Sequence, residues 1–292
     1  MSTTADRLSG RTRLVGLIGD PVGHSLSPAM HNAALQALGI DAAYVAMPVA
    51  PGNVGDAIRG LRALGFVGTN VTIPHKLAVA ELMDELTPQA ATIGAVNTVK
   101  ILPDGRLLGH NTDCEGAVRA VESAGAKLRG AHALILGAGG AARGVAAGCA
   151  FAGATSITIV NRTPEKAREV VEFLRSKPAI ASSIAWRAEG SADFRDWASA
   201  DVVFQMTSLG MGGNQEMPAD PAEFNPRAFV LEGVYAPVET PFFRAAHAAD
   251  LRVVDGLEML MEQGAASFEL WFGTPPDKAL MKSTLHRTLQ HR

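Results

Sequence analysis

The chain has 292 residues, 47% of them apolar and 19% charged, which suits a buried core and excludes disorder as the main state. Lys and Arg total 26 against 29 Asp and Glu, a formal net charge of -3, so a nucleic-acid partner is not expected. Two cysteines, Cys114 and Cys149, cannot build a disulfide framework and form no Cys-x-x-Cys pair, which fits a reducing, cytoplasmic setting.

Asp6, Arg7, Arg11 and Arg13 precede any apolar run, so no secretory signal is read. Leu14 to Ile18 predicts a first strand. Ser27-Pro28 predicts a helix start, with Ser27 as N-cap and Pro28 at the first helical position, and Gly39 closes that helix. Tyr44 to Val49 predicts a strand, Val54 to Leu64 a helix ending at Gly65, and Phe66 to Ile73 a third strand with a helix after Pro74. Ala95 to Leu102 and Arg106 to Gly109 flank Asp104-Gly105, a hairpin signal. A helix is read from about Asp113 to Ala124. Strands follow at Ala133 to Leu136, Ser156 to Val160, Asp201 to Met206, Ala228 to Val234 and Arg252 to Val254. Thr163-Pro164 predicts a capped helix start, and Leu257 to Phe272 and about Asp277 to His291 are helical. The uncharged window Gly144 to Asn161 is long enough to raise a membrane span, but Gly148, Gly153 and Thr155-Ser156 divide it into a small-residue helix, a turn and a strand. Alternating strands and helices make this an α/β protein with parallel sheets.

Gly137-Ala138-Gly139-Gly140-Ala141-Ala142 matches the dinucleotide fingerprint and stands between an apolar strand and a helix. Its glycines let backbone N–H groups at the helix N-terminus approach a pyrophosphate. The following strand ends roughly two dozen residues on, in Asn161-Arg162-Thr163, with no carboxylate to hold a ribose hydroxyl. Arg162 suits a 2′-phosphate, so NADP is the expected cofactor; the alternative is a surface Arg162 beside a helix-capping Thr163. No metal is expected.

Ser25, Ser27, Asn70, Thr72, Lys76, Asn97 and Thr112-Asp113 lie near strand ends of the first half, where open α/β sheets place ligands. Each has a bland account, as a cap, a solvated cation or a turn amide. Together they supply hydroxyls, amides, one cation and one carboxylate, an inventory suited to a small polyhydroxylated acid. Gln263 lies among apolar neighbours on its helix and needs a partner, either a ligand or a backbone carbonyl.

Eight ordered motifs give the chain a resemblance to the shikimate dehydrogenase family over roughly residues 14 to 275. They are Gly19-Asp20-Pro21-Val22-Gly23-His24-Ser25-Leu26-Ser27-Pro28, Asn70-Val71-Thr72-Ile73-Pro74-His75-Lys76, Gly94-Ala95-Val96-Asn97-Thr98, Asn111-Thr112-Asp113, the Gly137 turn, Asn161-Arg162-Thr163, Tyr235-Ala236-Pro237 with Thr240-Pro241, and Gln263-Gly264-Ala265-Ala266. The resemblance implies reversible NADPH-dependent reduction of 3-dehydroshikimate in aromatic amino-acid biosynthesis. It implies an N-terminal open α/β substrate domain, residues 1–113, rejoined by helices at 257–292, with a Rossmann-like dinucleotide-binding domain, residues 114–256, inserted between. Within it, Lys76 and Asp113 would be the catalytic pair. Ser25, Ser27 and Tyr235 would hold the substrate carboxylate, and Thr72, Asn97, Asp113 and Gln263 its ring hydroxyls, with Asn70 and Thr112 beside them. Gly137, Ala138, Gly139, Gly140, Ala141, Asn161, Arg162, Thr163, Lys166, Gly233 and Gly256 would line NADP. The chain departs from the family pattern at Cys114, at Gly264 and at Met206, where Gly, Ala and a small residue are usual.

Two other functions compete with this one. A quinate/shikimate dehydrogenase using NAD is disfavoured by Arg162 in place of an acid and by Ser27 in place of Thr. A non-catalytic nucleotide-binding regulatory module would not need Lys76 and Asp113 together. A monomer or homodimer, away from membranes, is expected.

Overall fold

A computed structural model describes residues 8–291; Asp6 and Arg7 lie outside the described residues. The chain divides into two compact units, residues 1–112 with 263–292, and residues 113–262. The second division falls inside a helix, six residues beyond the seam read from the sequence.

In the first unit β1 (Arg13–Gly19), α1 (Ser27–Ala37), β2 (Ala42–Pro48), α2 (Val54–Ala63), β3 (Gly68–Val71), α3 (Lys76–Ala80), β4 (Glu85–Leu86), α4 (Pro88–Ile93), β5 (Thr98–Ile101) and β6 (Leu107–His110) follow in order. Their sheet runs β2-β1-β3-β5-β6-β4. It is mixed rather than wholly parallel, because the turn at Pro103-Asp104-Gly105, closed by the Leu102 N–H on the Arg106 carbonyl, folds β6 back along β5. Strand β5 is also antiparallel to β3. Gly105 takes a φ of 83°, which a side chain would strain.

The second unit begins with α5 (Asp113–Ser123) and continues through β7 (His132–Leu136), α6 (Gly140–Phe151), β8 (Ser156–Asn161), α7 (Pro164–Arg175), β9 (Ala185–Gly190), β10 (Val202–Gln205), β11 (Phe229–Glu232), α8 (Pro241–Ala248) and β12 (Arg252–Val254). All five pairings in its sheet, ordered β12-β11-β10-β7-β8-β9, are parallel. Helices α9 (Gly256–Phe272) and α10 (Lys278–Gln290) complete the chain. The β7, β8, β10 and β11 residues are almost all buried, as expected for parallel strands covered on both faces. Among the described residues no helix is long and apolar enough to cross a membrane; the uncharged window resolves into α6, a turn at Gly153 and β8.

Two cap readings are corrected. The N-cap of α1 is Leu26, so Ser27 is its first residue and Pro28 its second, and no side chain caps it. The hydroxyl of Ser25 instead accepts from the Ser27 N–H at 3.2 Å, a local turn bond that takes the place of the cap. Thr163 does occupy the N-cap of α7, but its side chain makes no cap bond. Working caps stand where none was read: Thr87 accepts from Ala90 N–H, Thr240 from Phe243 N–H, and Asp277 from Leu280 N–H.

Cys114 and Cys149 are free and buried. They lie on α5 and α6, which pack closely enough that a Cβ at Gly148 would come within 2.6 Å of the Cys114 carbonyl oxygen. At Gly264 a methyl would collide with Met30 Cε, so the end of Met30 takes the room that a side chain there would need.

Candidate active site

The first unit gathers four of the predicted substrate residues into one buried web. Asn70, on β3, donates from Nδ2 toward the Asn97 carbonyl at 3.2 Å, Thr98 Oγ1 at 3.1 Å and Ser267 Oγ at 3.0 Å. Its Oδ1 accepts from the Tyr44 hydroxyl at 2.7 Å. Asn97 donates to Thr112 Oγ1 at 3.0 Å, and its Oδ1 accepts from the Thr112 N–H at 2.8 Å and the Thr98 hydroxyl at 2.9 Å. The Thr112 hydroxyl reaches Gln263 Oε1 at 3.4 Å and Ser267 Oγ at 3.2 Å.

These groups converge because β3 ends, the antiparallel β5 begins and β6 ends at the same edge of the sheet. Asn70, Asn97, Thr98, Thr112 and Ser267 are all at most 5% exposed. A buried polar web of this kind is rigid only when its members are satisfied, and here each has a partner. Thr98, Ser267 and Tyr44 were missed as members. Ser267 carried one usable signal: it lies one helical turn past Gln263, a small polar residue within an apolar stripe, and it donates back to the Gln263 carbonyl at 3.0 Å.

Lys76 opens α3 and is half-buried. Its carbonyl accepts from the Val96 N–H at 2.9 Å, which ties the start of α3 to the residue before Asn97. Thr72 precedes it in a turn closed by the His75 N–H on the Thr72 carbonyl, and the Thr72 methyl covers Gly19, leaving no room there for a Cβ. The neighbouring histidines have structural roles: His75 Nε2 lies 2.7 Å from the Val49 carbonyl, and His110 Nδ1 lies 2.9 Å from Thr87 Oγ1. Ser25 and Ser27 share the turn before α1, and Ser27 is buried.

The second unit holds the remaining predicted residues. Asp113 is its first residue, 5% exposed at the N-terminus of α5, where the helix dipole favours a carboxylate. Tyr235 follows β11 in a loop. At the β7–α6 turn, Gly137 has a φ of 115°, and a Cβ there would lie 2.9 Å from the Met206 carbonyl. Gly139 is the N-cap of α6, with no side-chain cap bond and nothing within 4 Å of its Cβ position. An uncapped helix start facing open space offers backbone N–H groups to an anion. Past β8, Arg162, Thr163 and Lys166 are exposed, and Asn161 Nδ2 holds the Thr163 carbonyl at 2.9 Å. These residues fit a dinucleotide with an extra phosphate. Gly233 and Gly256 have packing reasons of their own: Cβ atoms there would meet the Gln205 carbonyl at 2.6 Å and the Val234 carbonyl at 2.8 Å.

The chain matches three family models in order: the shikimate dehydrogenase substrate binding domain over residues 17–99, shikimate / quinate 5-dehydrogenase over 119–208, and the shikimate 5′-dehydrogenase C-terminal domain over 256–286. It is 44% identical to the shikimate dehydrogenase (NADP(+)) of Moorella thermoacetica, with 97% of this chain and 96% of that one aligned. Among solved structures it resembles the shikimate 5-dehydrogenase of Thermus thermophilus in complex with NADP(H) and shikimate, at 35% identity, a TM-score of 0.85 and coverage of 95% and 100%. It also resembles the 5-ketofructose reductase of Gluconobacter sp. strain CHM43, at 33% identity, a TM-score of 0.86 and coverage of 96% and 100%. With three of its family models matched in order and 44% identity over nearly the whole length, the chain belongs to the shikimate dehydrogenase family.

Proposed function

We propose that this protein catalyses the reversible NADPH-dependent reduction of 3-dehydroshikimate to shikimate, a step of the shikimate pathway. The observation that carries the reading is the web around Asn97, Thr112 and Gln263. It consists of neutral amides and hydroxyls, the groups that recognise ring hydroxyls without adding charge. Arg162 at the end of β8, where an NAD enzyme usually places a carboxylate, supports NADP.

When bound, NADPH supplies a hydride to the substrate carbonyl carbon. As the carbonyl oxygen gains negative charge, the Lys76 ammonium donates a hydrogen bond to it, and the proton that completes the alcohol comes from that ammonium or from a water it orients. Asp113 accepts from a neighbouring ring hydroxyl. Ser25 and Ser27, with Tyr235, hold the carboxylate and set which ring carbon faces the hydride. Fixing both reactants in this way is worth more than any single contact, because it removes the entropy of bringing them together.

The test is steady-state turnover of shikimate and of quinate, each with NADP+ and NAD+. Shikimate with NADP+ is expected to be the best pair. A higher kcat/KM for quinate with NAD+ would overturn the substrate and cofactor assignment. Absence of turnover with all four pairs would favour a non-catalytic binding protein.

A further inference from the structure

Glu232 ends β11 and is fully buried. Its register partner on β10 is Gln205, also fully buried. Gln205 Nε2 donates to Glu232 Oε1 at 3.1 Å, and the Val234 N–H donates to the same oxygen at 2.9 Å. The Thr240 hydroxyl donates to Oε2 at 2.5 Å. Gln205 also holds the turn after its own strand: its Nε2 donates to the Leu209 carbonyl at 3.2 Å, and its Oε1 accepts from the Thr207 N–H at 2.6 Å. Two loops, 206–210 after β10 and 233–240 after β11, are thus tied through one carboxylate. Gly210 packs against Thr240, and Met206 packs over Gly233, with Cβ positions 2.9 and 2.8 Å from the neighbouring side chains.

The sheet order places these loops on one side of the glycine turn. β7 carries that turn, β8 carries Arg162 on one side, and β10 and β11 lie on the other. With the pyrophosphate over β7 and the adenosine end toward β8, the nicotinamide half must extend over β10 and β11. The Met206 carbonyl already abuts Gly137, so the loop and the cradle are in contact.

We propose that Glu232 is a positioning residue which, with Gln205 and Thr240, holds the 206–210 and 233–240 loops in the arrangement that seats the nicotinamide half of the dinucleotide. The proposal rests on the NADP reading above. Burial pushes the Glu232 carboxyl up to about 6, so at neutral pH it is ionised and acts only as an acceptor, which suits its three donors. Fully buried and held by three donors, the carboxylate is closed to a ligand, so it acts through the loops it holds.

The experiment compares binding of NADP+ with binding of 2′,5′-ADP, which carries the adenosine end and its phosphates but no nicotinamide, in wild type, Glu232→Ala, Glu232→Gln and Thr240→Val. For Glu232→Ala, NADP+ affinity is expected to fall about tenfold or more, the scale of one charge-assisted bond. The same variant should lose about tenfold or more in kcat while 2′,5′-ADP affinity stays within about twofold. Thr240→Val, which cuts the brace from its other end, should give the same pattern if Glu232→Ala does not fold. Glu232→Gln keeps the bonds from Gln205 and Val234 and should recover most of kcat. Equal losses for NADP+ and 2′,5′-ADP, or an unchanged kcat in folded Glu232→Ala, would overturn the proposal. Wild type that binds NADP+ but turns over no shikimate would instead defeat the functional reading and leave the binding comparison intact.

Discussion

The two units solve opposite recognition problems with opposite materials. The first buries side-chain amides and hydroxyls at a sheet edge, with partners drawn from β3, β5, the end of β6 and α9. The second exposes backbone, through a glycine turn and an uncapped helix start. Under the proposed function, the first reads hydroxyl groups one by one, and the second holds an extended anion whose phosphates need N–H groups and a guanidinium more than shape. Side-chain recognition depends on distant residues meeting in register. Backbone recognition needs only a local turn.

The sharpest way to break this contrast is at Lys76, the cation proposed to act beside the web of neutral amides and hydroxyls. Lys76→Ala is expected to lower kcat by about 10²-fold or more, the loss typical of a group that stabilises charge or moves a proton at the reacting atom. Circular dichroism should show the fold intact, since the bond that ties Lys76 to Val96 runs through its backbone carbonyl, which alanine keeps. A folded Lys76→Ala enzyme with near-normal kcat would remove Lys76 from the mechanism.

The matching change in the second unit is Arg162→Ala. An exposed guanidinium at the end of β8 is expected to contribute about 1.5–3 kcal/mol to a phosphate contact, or roughly ten- to a hundred-fold in affinity. NADP+ binding, measured by calorimetry, should weaken by that factor while NAD+ binding barely changes. Equal losses for the two cofactors would show that Arg162 does not read the 2′-phosphate.

The same contrast explains what the sequence made legible. The Gly137 turn, the Asp104-Gly105 hairpin and the helix-closing Gly39 and Gly65 were readable because each answers a local backbone demand, visible as φ values of 64° to 115°. Ser267 and Tyr44 were not, because their partners lie 197 and 26 residues away in sequence and meet only after the sheet forms. Strand β9 was missed for a different reason. Its Ala-Trp-Arg-Ala-Glu-Gly sequence lacks an apolar run because it is an edge strand, paired on one side only, where charge is common. Cap readings failed in the opposite direction. A Ser or Thr before Pro proposes a cap, yet Ser27 shows that a neighbouring hydroxyl can satisfy the turn first.

Acid should separate the units, because burial shifts His31 in the first and Glu232 in the second in opposite directions. In the first, His31 stacks on Tyr44 at 4.4 Å between ring centroids, and neither ring nitrogen has a hydrogen-bond partner among the described residues. Burial lowers its pKa to about 3. The unfolded chain takes up a proton near pH 6.5 and the folded one does not, so this stability is full above that pH and is lost as pH falls toward 3. The loss is about 1.4 kcal/mol per pH unit. For Glu232 in the second unit, raised to about 6, the sign reverses: its contribution is full below about pH 4.5 and is lost as pH rises through 6. Hydrogen exchange at pH 7 and pH 5 should show protection of α1 falling by about 2 kcal/mol more in wild type than in His31→Phe. Equal pH responses in the two proteins would mean that His31 is hydrated in solution.

The smallest expected effect lies at the start of α1, where two hydroxyls are proposed to bind substrate and one of them also makes a turn bond. Ser25 Oγ accepts the Ser27 N–H, so Ser25→Ala leaves that donor without its partner, at a cost of about 0.5–1.5 kcal/mol. Ser27 makes no cap bond for α1, and alanine is the better helix former at its position, so Ser27→Ala should change stability by about 0.5 kcal/mol or less. Both hydroxyls are proposed to hold the substrate carboxylate, so both variants should raise KM for shikimate and leave NADP+ binding nearly unchanged. The pair is informative because the turn bond is made by the Ser25 hydroxyl and not by that of Ser27. A raised KM with an unshifted Tm in Ser27→Ala would isolate the binding role. A lowered Tm with KM intact would instead make the Ser27 hydroxyl part of the helix start, and the carboxylate would have to be held by other groups.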